Sequence, residues 1–331
     1  VVCRRQRQMC IRDRANTGVQ ILDVDIPKPN NSEVLVKVYA CGLNRADLVV
    51  ADGGAHGAAG GPGTIVGMEF SGEIIECGNN VKNVSIGDRV MCSGLSTWAE
   101  YAIADYGRVI KIPDNNMDYL TASTLPVALA TMHNAIVTIG EFVKGQTILI
   151  QGASSGVGLM GLQIAKQLGA KIIIGTSTKS KKFDKLKSLG ADVVVNSKDP
   201  GWVDQVLATT NKEGVDLIID QLSGYTVNQN MQATKIKGKI VNVGRLAGGI
   251  TDFNCDLHAL RRINYQGVTF RTRSVEEIRS VYLDMWNDLG NAVISGQLSL
   301  PIERVYDFND VAQALSSMRD NQHFGKLILK L

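Results

Sequence analysis

Two short stretches carry side chains whose types and spacing bear on chemistry. Gly152-Ala153-Ser154-Ser155-Gly156-Val157-Gly158 follows the apolar run TILIQ and opens a segment with helical spacing. Glycines there permit a tight turn and let backbone N–H groups approach a pyrophosphate, which also meets the positive end of the helix. The second stretch, Thr64 to Gly72, reads TIVGMEFSG and puts Met68 directly before Glu69. A histidine in that place, with a cysteine roughly two dozen residues upstream, would suggest a metal site, because imidazole and thiolate bind zinc well. A thioether does not.

The glycine loop also fixes where a cofactor is selected. In a dinucleotide-binding unit an acidic side chain at the end of the second strand takes the ribose 2′-hydroxyl of NAD. This chain offers Gly175-Thr176-Ser177-Thr178-Lys179-Ser180-Lys181-Lys182, with no carboxylate before Asp184. Hydroxyls and cations there welcome a 2′-phosphate, so the expected cofactor is NADPH. The competing reading of Lys179, Lys181 and Lys182 is a solvated helix start.

These loops need elements to hold them. From Val19 to about Pro126 the text is strand-like and glycine-punctuated: EVLVKVYACG, TIVGMEFSGEIIECG, DRVMCSG and WAEYAIA. That pattern predicts a compact mainly-β domain. Ala51 to Gly63, ADGGAHGAAGGPG, reads as a flexible loop, either a surface linker or a mobile wall over a cleft. After Pro126, strands TILIQG, KIIIGT, DVVVN, VDLIID, KIVNVG and GVTFRT alternate with helices at Val157 to Leu168, SKKFDKLKSLG, WVDQVLATT and Tyr225 to Thr234. Alternation at this length implies βαβ units, an α/β class and a doubly wound parallel six-stranded sheet made of two mononucleotide-binding halves. A long helix, EEIRSVYLDMWNDL, and the closing pattern FNDVAQALSSM then GKLILKL follow; the final strand is placed to rejoin the first domain.

Composition narrows the classes further. A chain of 331 residues, 44% hydrophobic and 20% charged, suits two domains. A formal net charge of +3 with no basic patch argues against nucleic acid and for small ligands. No apolar run is read as approaching the roughly 18 residues a membrane span needs, and no secretory core follows the basic start, so a cytoplasmic protein is expected. Six cysteines without a CxxC pair suit reduced thiols. Residues 1–14, VVCRRQRQMCIRDR, lack a helical or strand period. Gln8 to Arg14 back-translates to something close to a sequencing-library adaptor end, so this segment is read as a non-native leader standing where a first strand belongs.

VYACGLNRADL, VGMEFSG, the GASSGVG loop and the terminal GKLILKL occur together in an order and spacing that resembles the medium-chain dehydrogenase/reductase superfamily, over residues 19 to 331. Its zinc alcohol dehydrogenases resemble CGxCxTD followed by GHE; here those ligand positions hold Asn44 and Met68, only Glu69 remains, and the four-cysteine structural-zinc lobe is missing. No metal is expected, an unorthodox Cys41–His56–Glu69 site being the discarded alternative. NRADL looks like the zinc-free quinone oxidoreductase branch, the zeta-crystallin relatives.

The resemblance implies a GroES-like domain over 15–126, a Rossmann domain over 127–272 and a segment 273–331 that returns to the first. It implies NADPH held between the domains and hydride transfer to a quinone or, alternatively, to an enone or enoyl acceptor. A non-enzymatic, crystallin-like NADPH binder is the reading from another class. By resemblance Asn44, Asp47 and Thr131 are the catalytic set, Thr131 lying at the hinge. The cofactor set is Gly152, Ser154, Ser155, Gly156, Val157, Gly158, Gly175, Thr176, Ser177, Lys179 and Lys182, with Val243, Gly244, Phe270, Arg271, Thr272 and Asn321 added from the family. An amide at Asn44 would donate to the acceptor oxygen and Asp47 would orient neighbouring groups; the plainer reading is a turn-stabilising Asn44 and a capping Asp47. The tyrosine that branch members carry past NxxD is absent, and His56 is the conjectural substitute. Pairing of the sixth strand across a dyad would give a homodimer.

Overall fold

The computed structural model of the chain describes residues 5–12, 19–61, 63–114 and 116–331. Two compact units divide it, one running to Val127 and resuming from Phe270 to Leu331, the other spanning Ala128 to Thr269.

The first unit begins with β1 (Arg5–Arg12) antiparallel to β2 (Val19–Asp25). A strand thus occupies part of the segment whose sequence lacks a strand period, because ladder hydrogen bonds use backbone groups that every such residue carries. The remainder of residues 1–14 lies outside the described residues. Strand β3 (Glu33–Gly42) buries Val34, Val36, Val38, Ala40 and Cys41 and feeds α1 (Arg45–Ala51). The glycine-rich interval is not plain loop: β4 (Ala55–His56) and β5 (Ala59–Gly60) form a minimal hairpin in it. Strands β6 (Glu69–Cys77), β7 (Arg89–Ser93), β8 (Tyr101–Asp105) and β9 (Val109–Lys111) then complete the first pass, followed by α2 (Tyr119–Ala122).

Helix α3 (Pro126–His133) widens into a π-helical turn over Asn134–Ile139 as the second unit begins. The run Tyr119–Ile139 is long and apolar enough, by length and composition alone, to cross a membrane, which departs from the sequence expectation. Of its apolar window, 72% is buried in the fold, as in a core helix. The βαβ series follows: β10 (Thr147–Ile150), α4 (Gly156–Gln167), β11 (Ile172–Thr176), α5 (Phe183–Ser188), β12 (Val193–Val195) and α6 (Trp202–Thr209). The second half holds β13 (Val215–Asp220), α7 (Val227–Ala233), β14 (Thr234–Asn242), α8 (Cys255–Arg261) and β15 (Asn264–Gly267).

All six strands are parallel in the order β12-β11-β10-β13-β14-β15, so the strand order reverses between β10 and β13. Ligands of such sheets bind at that reversal, beyond the carboxyl ends of the strands. The sixth strand was expected over GVTFRT; it lies earlier, and Val268 only adds a last hydrogen bond to the Asn242 carbonyl at 2.9 Å.

The chain returns through α9 (Val275–Ile294), β16 (Ile302–Asp307), α10 (Val311–Asp320) and β17 (Lys326–Lys330). A capping box starts α9: Glu277 N–H donates to Ser274 Oγ at 3.1 Å and Ser274 N–H to Glu277 Oε2 at 2.7 Å. Strand β17 lies antiparallel to β3 in a sheet ordered β16-β17-β3-β6-β7-β9, with β8 also on β3. The closing strand therefore does rejoin the first unit, and it brings residue 326 beside residues 42 to 44.

Candidate functional site

The first unit gathers a polar cluster where β3 ends. Leu43 N–H donates to the Leu327 carbonyl at 3.0 Å, which locks β17 alongside and sets Lys326 against Asn44 and Glu69. Lys326 is 4% exposed and Glu69 fully buried, and they form an ion pair. Asn44 bridges them: its Nδ2 donates to Glu69 Oε1 at 2.8 Å, and its Oδ1 accepts from Lys326 Nζ at 3.0 Å. Glu69 Oε2 accepts from Val127 N–H at 3.0 Å, in the first turn of α3, where a negative charge is favoured. Both carboxylate oxygens are thereby satisfied, as a buried charge requires.

Gly42 leaves room for this pair, and Gly325 shapes the backbone that leads into Lys326. A Cβ on Gly42 would lie 2.6 Å from Glu69 Oε1 and 2.4 Å from the Ser123 carbonyl. Gly325, at φ +96°, could not carry one within 2.2 Å of the Pro301 carbonyl.

Asp47 is fully buried; its Oδ2 accepts from Asn44 N–H at 2.7 Å, while Oδ1 has no partner among the described residues. Burial pushes its carboxyl up to about 8, against the lowering effects of the Asn44 N–H and Lys326. The capping role read for Asp47 is present, and its carboxyl sits in the neutral form below that value. Thr131, half-buried on α3, belongs to the second unit and is not a member of this cluster. Lys326 was missed by the sequence reading; its signal is a lysine opening the apolar strand KLILK.

Catalytic zinc does not suit these donors. The Glu69 carboxylate already faces an ammonium, the Cys41 thiol donates to the Thr97 carbonyl at 3.2 Å in the core, and Met68 offers a thioether. Among the described residues no three His, Cys, Asp or Glu side chains come together.

In the second unit the loop after β10 fits a dinucleotide. Gly152 turns at φ +67°, and a Cβ on Gly158 would fall 2.6 Å from the Gly152 carbonyl and 2.7 Å from Ala153 Cα. Ser155 caps α4, its Oγ accepting from Gly158 N–H at 3.0 Å; Ser154, Gly156 and Val157 are half-buried around it. The first-turn N–H groups of a 12-residue helix then stand ready for a pyrophosphate. Gly175 lies close beneath, its would-be Cβ 3.2 Å from Ala153 Cβ.

Gln221, unforeseen in the sequence, ties this loop across the strand reversal. Its Nε2 donates to the Gln151 carbonyl at 2.9 Å and its Oε1 accepts from Ser155 Oγ at 3.0 Å. Val243 and Gly244 follow β14 beside it, and Gly244 has no space for a side chain, since a Cβ would meet the Gln221 carbonyl at 2.6 Å.

The selector positions divide. The Thr176 hydroxyl is spent inward, accepting from Gly152 N–H at 2.9 Å and donating to Gln151 Oε1 at 2.8 Å. Ser177 Oγ accepts from Lys179 N–H at 3.3 Å. Lys182 is 5% exposed, so a solvated helix start does not describe it; Lys181 is exposed and Lys179 half-buried.

The remaining candidates fall in the first unit. Phe270 lies under the Arg273 guanidinium at 5.4 Å, and Arg271 packs against Gly57 of the hairpin loop. Thr272 is exposed. Asn321 ends α10 in the left-handed region, its Oδ1 accepting from Arg45 Nη2 at 2.9 Å. His56 is half-buried on β4. A phenol is nevertheless present: Tyr282 of α9 is buried and donates to Ser93 Oγ, and β7 pairs Ser93 with Glu69.

A glycine loop opening a helix on a doubly wound parallel sheet, together with a mainly-β unit, defines the two-domain class of the chain. The alcohol dehydrogenase GroES-like domain family matches residues 30–114 and the zinc-binding dehydrogenase domain family residues 156–287, and the chain belongs to the medium-chain dehydrogenase/reductase superfamily. It is 27% identical over 305 residues to "Highly reducing polyketide synthase 40" of Fusarium pseudograminearum, covering 90% of this chain and 11% of that protein. The chain thus spans about a tenth of such a relative's length. Among solved structures it resembles the quinone oxidoreductase from Coxiella burnetii, with 26% identity, 99% of each chain covered and a TM-score of 0.79. It shares a fold with the CurK enoyl reductase at 22% identity, covering 98% of this chain and 99% of that one, with a TM-score of 0.86.

Proposed function

We propose that the protein is an NADPH-dependent oxidoreductase that delivers hydride to a quinone without a metal. The observation carrying this reading is the engagement of Glu69 by Lys326 and by Asn44, one of the two positions at which the zinc alcohol dehydrogenase sequence pattern carries a ligand. A reduced nicotinamide bound at the loop after β10 would supply the hydride, that is, both electrons of the reduction. Addition to a quinone gives a delocalised anion that water can protonate, whereas a simple ketone gives an alkoxide that calls for a strong Lewis acid. An amide N–H at Asn44 suffices for the first task. The phosphate loop holds the pyrophosphate, and Ser177 with Lys179 favours the 2′-phosphate in the absence of a carboxylate. The outer edge of β15, last in its sheet, is the surface we assign to a homodimer.

A second reading, reduction of an enone or enoyl group, draws support from the relatives named as reducing polyketide synthases and the enoyl reductase that shares the fold. Steady-state NADPH oxidation with a simple quinone and with a medium-chain enone separates the two. The leading reading expects faster turnover of the quinone; a reversed preference selects the second, and NADPH binding with neither turned over makes the protein a binder only.

A further inference from the structure

Resting on that functional reading, we propose that Lys326 is a positioning residue for the hydride acceptor, acting through the Asn44 amide. The orientation follows from the hydrogen bonds: an ammonium can only donate, so Lys326 holds Asn44 Oδ1 toward itself, and Glu69 Oε1 takes one of the two Nδ2 hydrogens. One N–H of the half-buried amide is left for an incoming carbonyl oxygen. A cation bonded to the amide oxygen also draws electron density from the nitrogen, which strengthens that remaining donor.

The cluster is built for this arrangement rather than incidental to it. Gly42 clears the space beside Glu69, Leu43 and Leu327 lock the strands, and the Val127 N–H satisfies the far carboxylate oxygen. Asp47 completes it by fixing the backbone of Asn44 from the other side, and its neutral form adds no competing negative charge next to the amide. The acceptor this donor suits is a neutral conjugated carbonyl, quinone or enone, whose oxygen gains charge as hydride arrives.

The test is a kinetic cycle on the full chain, with a quinone and an enone as acceptors. It compares the unaltered protein, Asn44→Ala, the paired Lys326→Met/Glu69→Leu, which removes both charges together, and the triple variant. Each of the first two changes is expected to lower kcat about tenfold or more, and the triple variant to fall no more than about twofold further, because both act through one hydrogen bond. NADPH affinity, read by fluorescence titration, stays within about twofold throughout. If the pair does not fold, Lys326→Met/Glu69→Gln, which removes both charges and the donor facing Asn44 Oδ1 but keeps a polar group at 69, takes its place in the cycle. Unchanged kcat in the charge-free pair, or losses that multiply in the triple variant, overturns the positioning role and leaves the functional reading standing. Absence of turnover by the unaltered protein on both acceptors overturns the functional reading and this inference with it.

Discussion

The Asn44–Glu69–Lys326 cluster and the Gly152–Gly158 loop solve opposite problems. The cluster buries full charges and holds them with side chains from three distant parts of the chain; Lys326 stands 257 residues from its carboxylate partner. The loop is contiguous and works with backbone N–H groups, a helix terminus and the absence of Cβ atoms. Charge held by side chains fails when one partner is removed. A backbone cradle fails when an atom is added.

That contrast predicts its own breaking points. Lys326→Met alone leaves Glu69 charged, buried and short of its cation, and should cost about 3–5 kcal/mol in denaturant unfolding; adding Glu69→Leu should recover most of it. Gly158→Ala forces a Cβ against the Gly152 carbonyl, and should weaken NADPH binding by about tenfold to a hundredfold while secondary structure by circular dichroism is retained.

Asp47 sharpens the comparison through pH. Its folded value, about 8, lies above the ordinary 3.8, so the folded protein keeps a proton that the unfolded chain releases. Its contribution to stability is therefore complete below about pH 4 and is lost as pH rises through about 8, at a slope near 1.4 kcal/mol per unit between them. Asp47→Asn, which keeps an oxygen for the Asn44 N–H, should flatten that part of the stability profile. The smallest effect is expected at Lys179→Ala, which should reduce the preference for NADPH over NADH by about threefold to fivefold in kcat/KM.

The same contrast explains what was readable in advance. The glycine turn between β10 and α4, the parallel strands and the return of GKLILKL to the first unit follow local patterns, glycine spacing and alternating periods, and the fold realises them. Lys326 is invisible to such patterns, because its meaning lies in which carboxylate it meets, and only the pairing of β17 with β3 decides that. Gln221 is hidden for the same reason. GVTFRT misled because Val268 shares one ladder bond with β14 and the residues from Phe270 on belong to the other unit, so apolar alternation outran the sheet. Within the glycine-rich interval composition suggested a plain loop, yet Ala55 and Gly60 pair, which composition cannot register. Thr176 was grouped with its neighbours as a phosphate contact, but its hydroxyl braces the glycine turn instead.

The central claim is that an internal ammonium and amide stand in the place of a metal while NADPH supplies the reducing power. The most direct measurement is NADPH oxidation by a quinone before and after exhaustive dialysis of the full chain against a strong zinc chelator, with metal content assayed on the same samples. The account predicts an unchanged rate with no metal bound at stoichiometric level. A rate that vanishes on chelation and returns with added zinc would contradict it.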